Sequence, residues 1–278
     1  MPRVRRFDWR NFLVRAASGL VLGTLAIWAV WVFDWPNVIW RAPFLVLIGV
    51  AGALLSSEWS GMATPGAPGR AAVVTTVAVV TVIILAFVGQ YAAAWVCVLL
   101  GAAAAALVAR SAAARAIDAA YGVLYIAPAC LVIVWLRETK QGLGWILMLF
   151  AVTWSADIFA FLVGSVLKGP KLWPRFSPNK TWSGFFGGLV GAMAVAVGVA
   201  AGLMRLSLVG AAVIGLSGGL ATMAGDLWES MLKRRFGVKD SGDIIPGHGG
   251  LLDRVDGLMF AVMAIAVARL VVHYGWAH

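Results

Sequence analysis

The stretch SMLKRRFGVKDSGDIIPGHGGLLDRVD, residues 230–256, sets ten titratable side chains into 27 positions between two long apolar segments. They are Lys233, Arg234, Arg235, Lys239, Asp240, Asp243, His248, Asp253, Arg254 and Asp256. Only 12% of the 278-residue chain is charged, so this is a marked local concentration. The flanking segments decide the fold class, because a run of about 18 nearly uncharged residues is long enough to cross a bilayer as a helix. Cations and carboxylates gathered where such helices end point to metal-assisted phosphate chemistry on a lipid.

Working outward, 62% of the residues are hydrophobic and the mean hydropathy is +0.92. A soluble domain averages roughly half apolar. The chain is therefore expected to be an all-α, polytopic membrane bundle. Spans are predicted near 16–33, 42–57, 71–89, 91–109, 119–136, 143–165, 184–204, 208–228 and 257–274. The N-terminal MPRVRRFDWRNFLVR is basic, but no small-residue cleavage site follows a short apolar core, so no cleavable signal peptide is expected. With the N-terminus in the cytoplasm, seventeen of the 22 Lys and Arg fall on the cytoplasmic side. Arg41, Arg137, Lys140 and Arg205 fall on the other side, and Arg269 lies within the last span. The positive-inside rule thus supports nine spans with the N-terminus cytoplasmic. The net charge of +10 records topology and attraction to anionic lipid, and needs no nucleic acid to explain it. A single membrane domain, 1–278, is expected, with scaffold helices over 1–142 and the catalytic helices and cytoplasmic loops over 143–278. Cys97 and Cys130 lie in apolar segments and read as small buried hydrophobes.

Asp226, Glu229, Ser230 and Lys233 recur at i, i+3, i+4 and i+7, which makes one helical stripe. Asp253 and Asp256, three apart, share a face where the ninth span begins. If these helices are neighbours, Asp226, Asp253 and Asp256 converge near the membrane surface. Hard oxygen ligands of this kind suit Mg²⁺. Between the helices lies PGHGG, 246–250, whose backbone N–H groups at Gly249 and Gly250 can cradle phosphate oxygens. His248 can donate to a phosphate or a leaving group. Lys233, Arg234, Lys239 and Arg254 can neutralise a polyphosphate. A basic loop alone is usually a topology anchor, and one Asp at a helix mouth is usually solvated. Three acids at helical spacing around a Gly-His-Gly turn tip the balance toward chemistry.

The segment 166–183, VLKGPKLWPRFSPNKTWS, reads as a loop on the same side. Its Ser177, Lys180 and Thr181 could contact phosphate or ribose; equally, Thr181 or Ser183 could cap the seventh helix. Both readings stay open. Asp157, inside the sixth span, is a functional candidate because an intramembrane acid is costly, although a structural ion pair would also explain it. Glu58 ends the second span and is expected to be solvated. Gly184/Gly188, Gly187/Gly191 and Gly198/Gly202 lie four apart, a spacing that lets helices approach closely. Packing within one bundle is favoured over a homodimer seam.

The order Ser230, Lys233-Arg234, Lys239-Asp240, Pro246-Gly247-His248-Gly249-Gly250 and Asp253-Arg254-Val255-Asp256 resembles the signature of the phosphatidate cytidylyltransferase (CDP-diacylglycerol synthase) family. Ser177-Pro178-Asn179-Lys180-Thr181, followed by Gly184 and Gly187-Gly188, resembles a second segment of that family. Asn179 stands where the family commonly has Lys, Ser183 where it has Glu, and Phe161 where it often has Tyr. The resemblance implies transfer of CMP from CTP to phosphatidic acid, giving CDP-diacylglycerol and pyrophosphate. It implies Mg²⁺ held by Asp226, Asp253 and Asp256, and a second, monovalent cation such as K⁺ as a further candidate. Lys233 and His248 would join the acids as catalytic residues. Ser177, Lys180, Thr181, Ser230, Arg234, Lys239, Gly249, Gly250 and Arg254 would bind substrate. The expected setting is the cell inner membrane, with the site facing the cytoplasm.

Two rivals fare worse. Asp253-Arg254-Val255-Asp256-Gly257 mimics the start of a CDP-alcohol phosphotransferase motif, but Leu258-Met259-Phe260-Ala261-Val262 follows and no later Asp exists. A transporter of an anionic substrate would place its polar residues near the midplane. Here almost all charge lies at span ends.

Overall fold

The computed structural model describes residues 9–35, 38–66, 68–110, 116–204, 206–244 and 249–275. Nine α-helices are present among them: α1 Trp9–Val32, α2 Ala42–Ala63, α3 Pro68–Phe87, α4 Tyr91–Ala109, α5 Ala116–Glu138, α6 Gly142–Leu167, α7 Trp182–Leu203, α8 Leu208–Arg235 and α9 Leu252–Gly275. The chain is a polytopic membrane protein: eight of these helices are long and apolar enough to cross a bilayer. In α1 the corresponding apolar part, Gly19–Val32, is shorter. Cys130 is buried and Cys97 half-buried, and both thiols are free, as small core hydrophobes should be.

Two helices run further than hydropathy suggests. The eighth span continues to Arg235 and the ninth begins at Leu252, because both ends are helical outside the apolar run. Ser207 caps α8 by accepting from the Gly210 N–H at 3.1 Å. Lys233, Arg234 and Arg235 crowd the last turn of α8, where they offset the negative end of the helix dipole. Gly237, at φ +74°, then reverses the chain, and Val238 N–H closes onto the Lys233 carbonyl at 2.9 Å.

The segment 166–183 is not all loop. It folds into an antiparallel hairpin, β1 Lys171–Trp173 and β2 Ser177–Thr181, with Lys171 opposite Thr181 and Trp173 opposite Ser177. β2 runs directly into α7, and the Thr181 hydroxyl accepts from the Gly184 N–H at 3.2 Å. The capping reading of that residue is the one the structure bears out.

Ion pairs mark the two ends of the bundle. At one end, Arg137 is buried, donates to the Val30 carbonyl at 2.8 Å and meets Asp34 at 2.7 Å. Its guanidinium lies over the Phe33 ring, and Arg41 pairs with Glu138 beside it. At the other end, Arg235 of α8 meets Asp118 of α5 at 2.6 Å. An aromatic cluster underlies that end. Trp59, Tyr121, Tyr125, Phe236 and Phe260 pack together, and the Trp59 indole donates to the Asp118 carbonyl at 2.8 Å.

Close helix approach uses glycine where expected. A methyl group at Gly184 would lie 2.7 Å from the Ala160 carbonyl oxygen, and one at Gly188 would lie 2.7 Å from that of Ala156. These glycines seat α7 on α6, the packing reading given above. Gly198 and Gly202 have no such neighbour within 4 Å among the described residues. The crossing of α8 and α9 depends on glycine in the same way. A methyl at Gly225 would sit 2.5 Å from the Asp256 carbonyl oxygen, and one at Gly257 would sit 3.0 Å from that of Thr222. Gly225→Ala is therefore expected to lower stability by about 1–3 kcal/mol through overpacking. Thermal unfolding of the purified protein in detergent checks this.

Candidate active site

The α8–α9 crossing brings Asp226 and Asp256, each next to one of those glycines, to the same place. Asp256 lies close enough to Asp226, Glu229 and Asp157 for their charges to act on it. Its Oδ1 accepts from the Gly257 N–H at 2.7 Å. Asp226 stays 35% exposed, and Lys180, swung over from β2, forms an ion pair with it. Asp157 of α6 is exposed and within charge range of Asp226, Lys180 and Arg254. The intramembrane acid thus belongs to this cluster.

A second arm lies alongside. Lys233 meets Glu229 at 2.7 Å on its own helix and Asp253 at 2.5 Å on α9. Glu229 is almost wholly buried, and its Oε1 has no hydrogen-bond partner among the described residues. Asp253 is fully engaged: Oδ1 accepts from Lys233, and Oδ2 accepts from the backbone N–H of Ser241 at 3.0 Å and of Gly250 at 3.2 Å.

This division alters the expected metal triad. The structure does not bring Asp226, Asp253 and Asp256 into one metal-holding set; among the described residues no group of three His, Cys, Asp or Glu side chains does so. Asp253 is turned toward Lys233 and the loop, with both oxygens engaged by donors of this chain. Asp226 and Asp256 remain as a pair. That is still a fit for Mg²⁺, which binds through one or two carboxylates and completes its shell with waters and substrate phosphates.

Other expected residues take definite places. Thr181 is buried, and its hydroxyl accepts from the Gly184 N–H as the α7 cap. Ser177 opens β2 opposite Trp173. Ser230 is half-buried on α8, and Arg254 is exposed on the first turn of α9. Arg234 is exposed and donates to the Val238 carbonyl at 3.2 Å. Lys239 is exposed in the loop after α8. Gly249 adopts φ +81°, which only glycine takes without strain. His248, with Pro246 and Gly247, lies outside the described residues.

Glu58 is the residue that sequence reasoning misplaced. It is buried, not solvated. Its Oε1 accepts from the Leu251 N–H at 2.7 Å; its Oε2 accepts from the Leu252 N–H at 2.7 Å and the Ser241 hydroxyl at 3.2 Å. A carboxylate from the end of α2 thus caps α9, which favours a negative charge at its N-terminus. Gly250 has no side chain because there is no room: an added methyl would lie 2.9 Å from Glu58 Oε2 and would collide with the Ser241 hydroxyl. The hydrophobic stretch around Glu58 carries no hint of this, since its partners are more than 180 positions away.

Together the fold and site define a membrane-embedded transferase whose polar groups sit at one end of the bundle, suited to anionic phosphates. A sequence profile of the cytidylyltransferase family matches residues 13–272, so the chain belongs to that family. It is 38% identical over 258 residues to the phosphatidate cytidylyltransferase of Brucella abortus biovar 1 (strain 9-941), covering 90% of each chain. The protein of the same name from Brucella melitensis biotype 1 is 37% identical over the same length. That of Staphylococcus saprophyticus is 42% identical over 151 residues, 52% of this chain and 56% of the relative.

Proposed function

We propose that this protein is a phosphatidate cytidylyltransferase, transferring CMP from CTP to phosphatidic acid with release of pyrophosphate. The observation that carries this reading is the meeting of Asp226 and Asp256 where α8 crosses α9, beside Lys180. The long similarity to the Brucella enzymes supports the substrates. Bacterial relatives and the placement of basic residues support an inner-membrane location, with the N-terminus and the site on the cytoplasmic side.

The lipid phosphate is already anionic, so its attack on the α-phosphorus of CTP needs little help from a general base. Asp226 and Asp256 would hold Mg²⁺, which supplies charge neutralisation across the two reacting phosphates. A second, monovalent cation such as K⁺ is a further candidate; Glu229 Oε1 is a buried carboxylate oxygen with no hydrogen-bond partner among the described residues. Lys180 and Arg254 offset charge on the phosphates and on the departing pyrophosphate. Lys233 acts differently: bonded to Glu229 and Asp253, it ties α8 to α9, and Asp253 in turn accepts from the backbone N–H groups of Ser241 and Gly250. Gly249 and Gly250 let the chain pass close to Glu58 and the start of α9.

The test is direct. Purified protein in vesicles, given Mg²⁺, CTP and phosphatidic acid, is expected to release pyrophosphate and form CDP-diacylglycerol, and to stop on chelation. Release only with another nucleotide or another lipid would overturn the substrate assignment. Anion flux without turnover would favour a transporter.

A further inference from the structure

Helix α5 lies in the half of the chain that reads as scaffold, yet it sends one polar group toward the acids. Tyr125 is 8% exposed, and its hydroxyl is buried with no hydrogen-bond partner among the described residues. A buried tyrosine hydroxyl ordinarily has a partner, because an unmade hydrogen bond there costs free energy. The ring itself is well accounted for. It packs against Trp59 at 5.7 Å between centroids, stacks on Tyr121 at 5.8 Å and meets Phe260 edge-on at 6.2 Å. Packing thus explains the ring and leaves the oxygen unexplained, since phenylalanine would fill the same space.

Its neighbours locate that oxygen. Tyr121, one turn earlier on α5, accepts from the Trp228 indole N–H at 2.8 Å, so this face of α5 reaches the turn of α8 that carries Glu229. Phe260 lies four residues after Asp256, one turn along the same face of α9. Tyr125 therefore stands where α5 meets the α8–α9 crossing, within charge range of Asp256 and Glu229. The acids there are supplied unequally. Glu229 and Asp253 share Lys233, and Asp226 has Lys180. Asp256 accepts on Oδ1 from the N–H of Gly257, its own neighbour in sequence. A neutral donor from a third helix can steady such a carboxylate through a charge-assisted hydrogen bond. Unlike a lysine, it leaves in place the negative charge that a cation must meet.

We infer that Tyr125 is a positioning residue for the acid pair: as Asp256 takes up a cation, the Tyr125 hydroxyl donates to its carboxylate and keeps it turned toward Asp226. This rests on the reading of Asp226 and Asp256 as the pair that holds a divalent cation. It gives the first half of the chain a part in the chemistry, because the donor comes from α5 and the acids from α8 and α9.

Tyr125→Phe removes one oxygen and keeps the ring, so the thermal midpoint should not fall. Mn²⁺, used in place of Mg²⁺ and followed by electron paramagnetic resonance without substrates, is expected to bind the variant about tenfold more weakly. That is the scale of loss when a hydrogen bond behind a metal-holding carboxylate is removed. Turnover of CTP and phosphatidic acid should fall in parallel at limiting Mg²⁺ and recover in excess Mg²⁺, with KM for both substrates unchanged. Tyr121→Phe is the control: its hydroxyl is engaged by Trp228, so Mn²⁺ affinity should match the wild type. Equal Mn²⁺ affinity in the wild type and Tyr125→Phe would overturn the inference. An equal loss in Tyr121→Phe would also overturn it, by tracing the effect to packing of the ring stack. Absence of Mn²⁺ binding by the wild type would sink the acid-pair reading itself, and this inference with it.

Discussion

Asp226→Asn is expected to lower kcat by about a thousandfold or more while the protein stays folded. Asp226 is partly exposed, so its loss strands no fully buried partner; Lys180 can turn back to water from the hairpin. What disappears is one of the two carboxylates that, on the proposed reading, would hold a divalent cation. Such an ion contributes several kcal/mol of transition-state stabilisation, and each ~1.4 kcal/mol is a factor of ten in rate. Asp256→Asn should match it in rate. Steady-state turnover with CTP and phosphatidic acid, with thermal unfolding as the folding control, measures this. Near-normal kcat in the folded Asp226→Asn variant would remove the metal assignment.

The second large effect is on stability. Glu58→Ala is expected to destabilise the protein by on the order of 3 kcal/mol or more, since it leaves two backbone N–H groups and the Ser241 hydroxyl without their acceptor. Glu58→Gln should lie between, because the amide keeps one acceptor oxygen but turns donors toward donors. Unfolding followed by tryptophan fluorescence in detergent checks the order wild type, Gln, Ala. Equal stability of all three would mean that the cap contributes nothing.

Much of the architecture was legible because its cause is local. An apolar run long enough to cross a bilayer must be helical there, since lipid offers no partner for backbone polar groups. The stripe Asp226, Glu229 and Lys233 was legible for the same reason: α8 is regular, so spacing maps onto a face. What escaped reading depends on distant contacts. Asp253 and Asp256 are equivalent by spacing, yet Lys233 and two backbone N–H groups claim the first and leave the second to Asp226. The hairpin escaped because its strands are short, with Pro174 in the turn between them and Pro178 inside the second, and no alternating apolar pattern announces them. Glu58 escaped because a carboxylate at a span end is ordinarily solvated.

The Glu58 contact also bears on how the protein is made. Chains fold largely from the N-terminus as they are synthesised. The second helix therefore enters the membrane long before the segment it will cap exists. Only when α9 arrives can Leu251 and Leu252 reach that carboxylate, and only then does Asp256 take its place against Asp226. A chain stalled before α9 therefore carries the hairpin with Arg175 and Lys180 but no assembled acid pair. The pairing of Asp226 with Asp256 thus waits on the insertion of α9, however early the helices that flank it are in place.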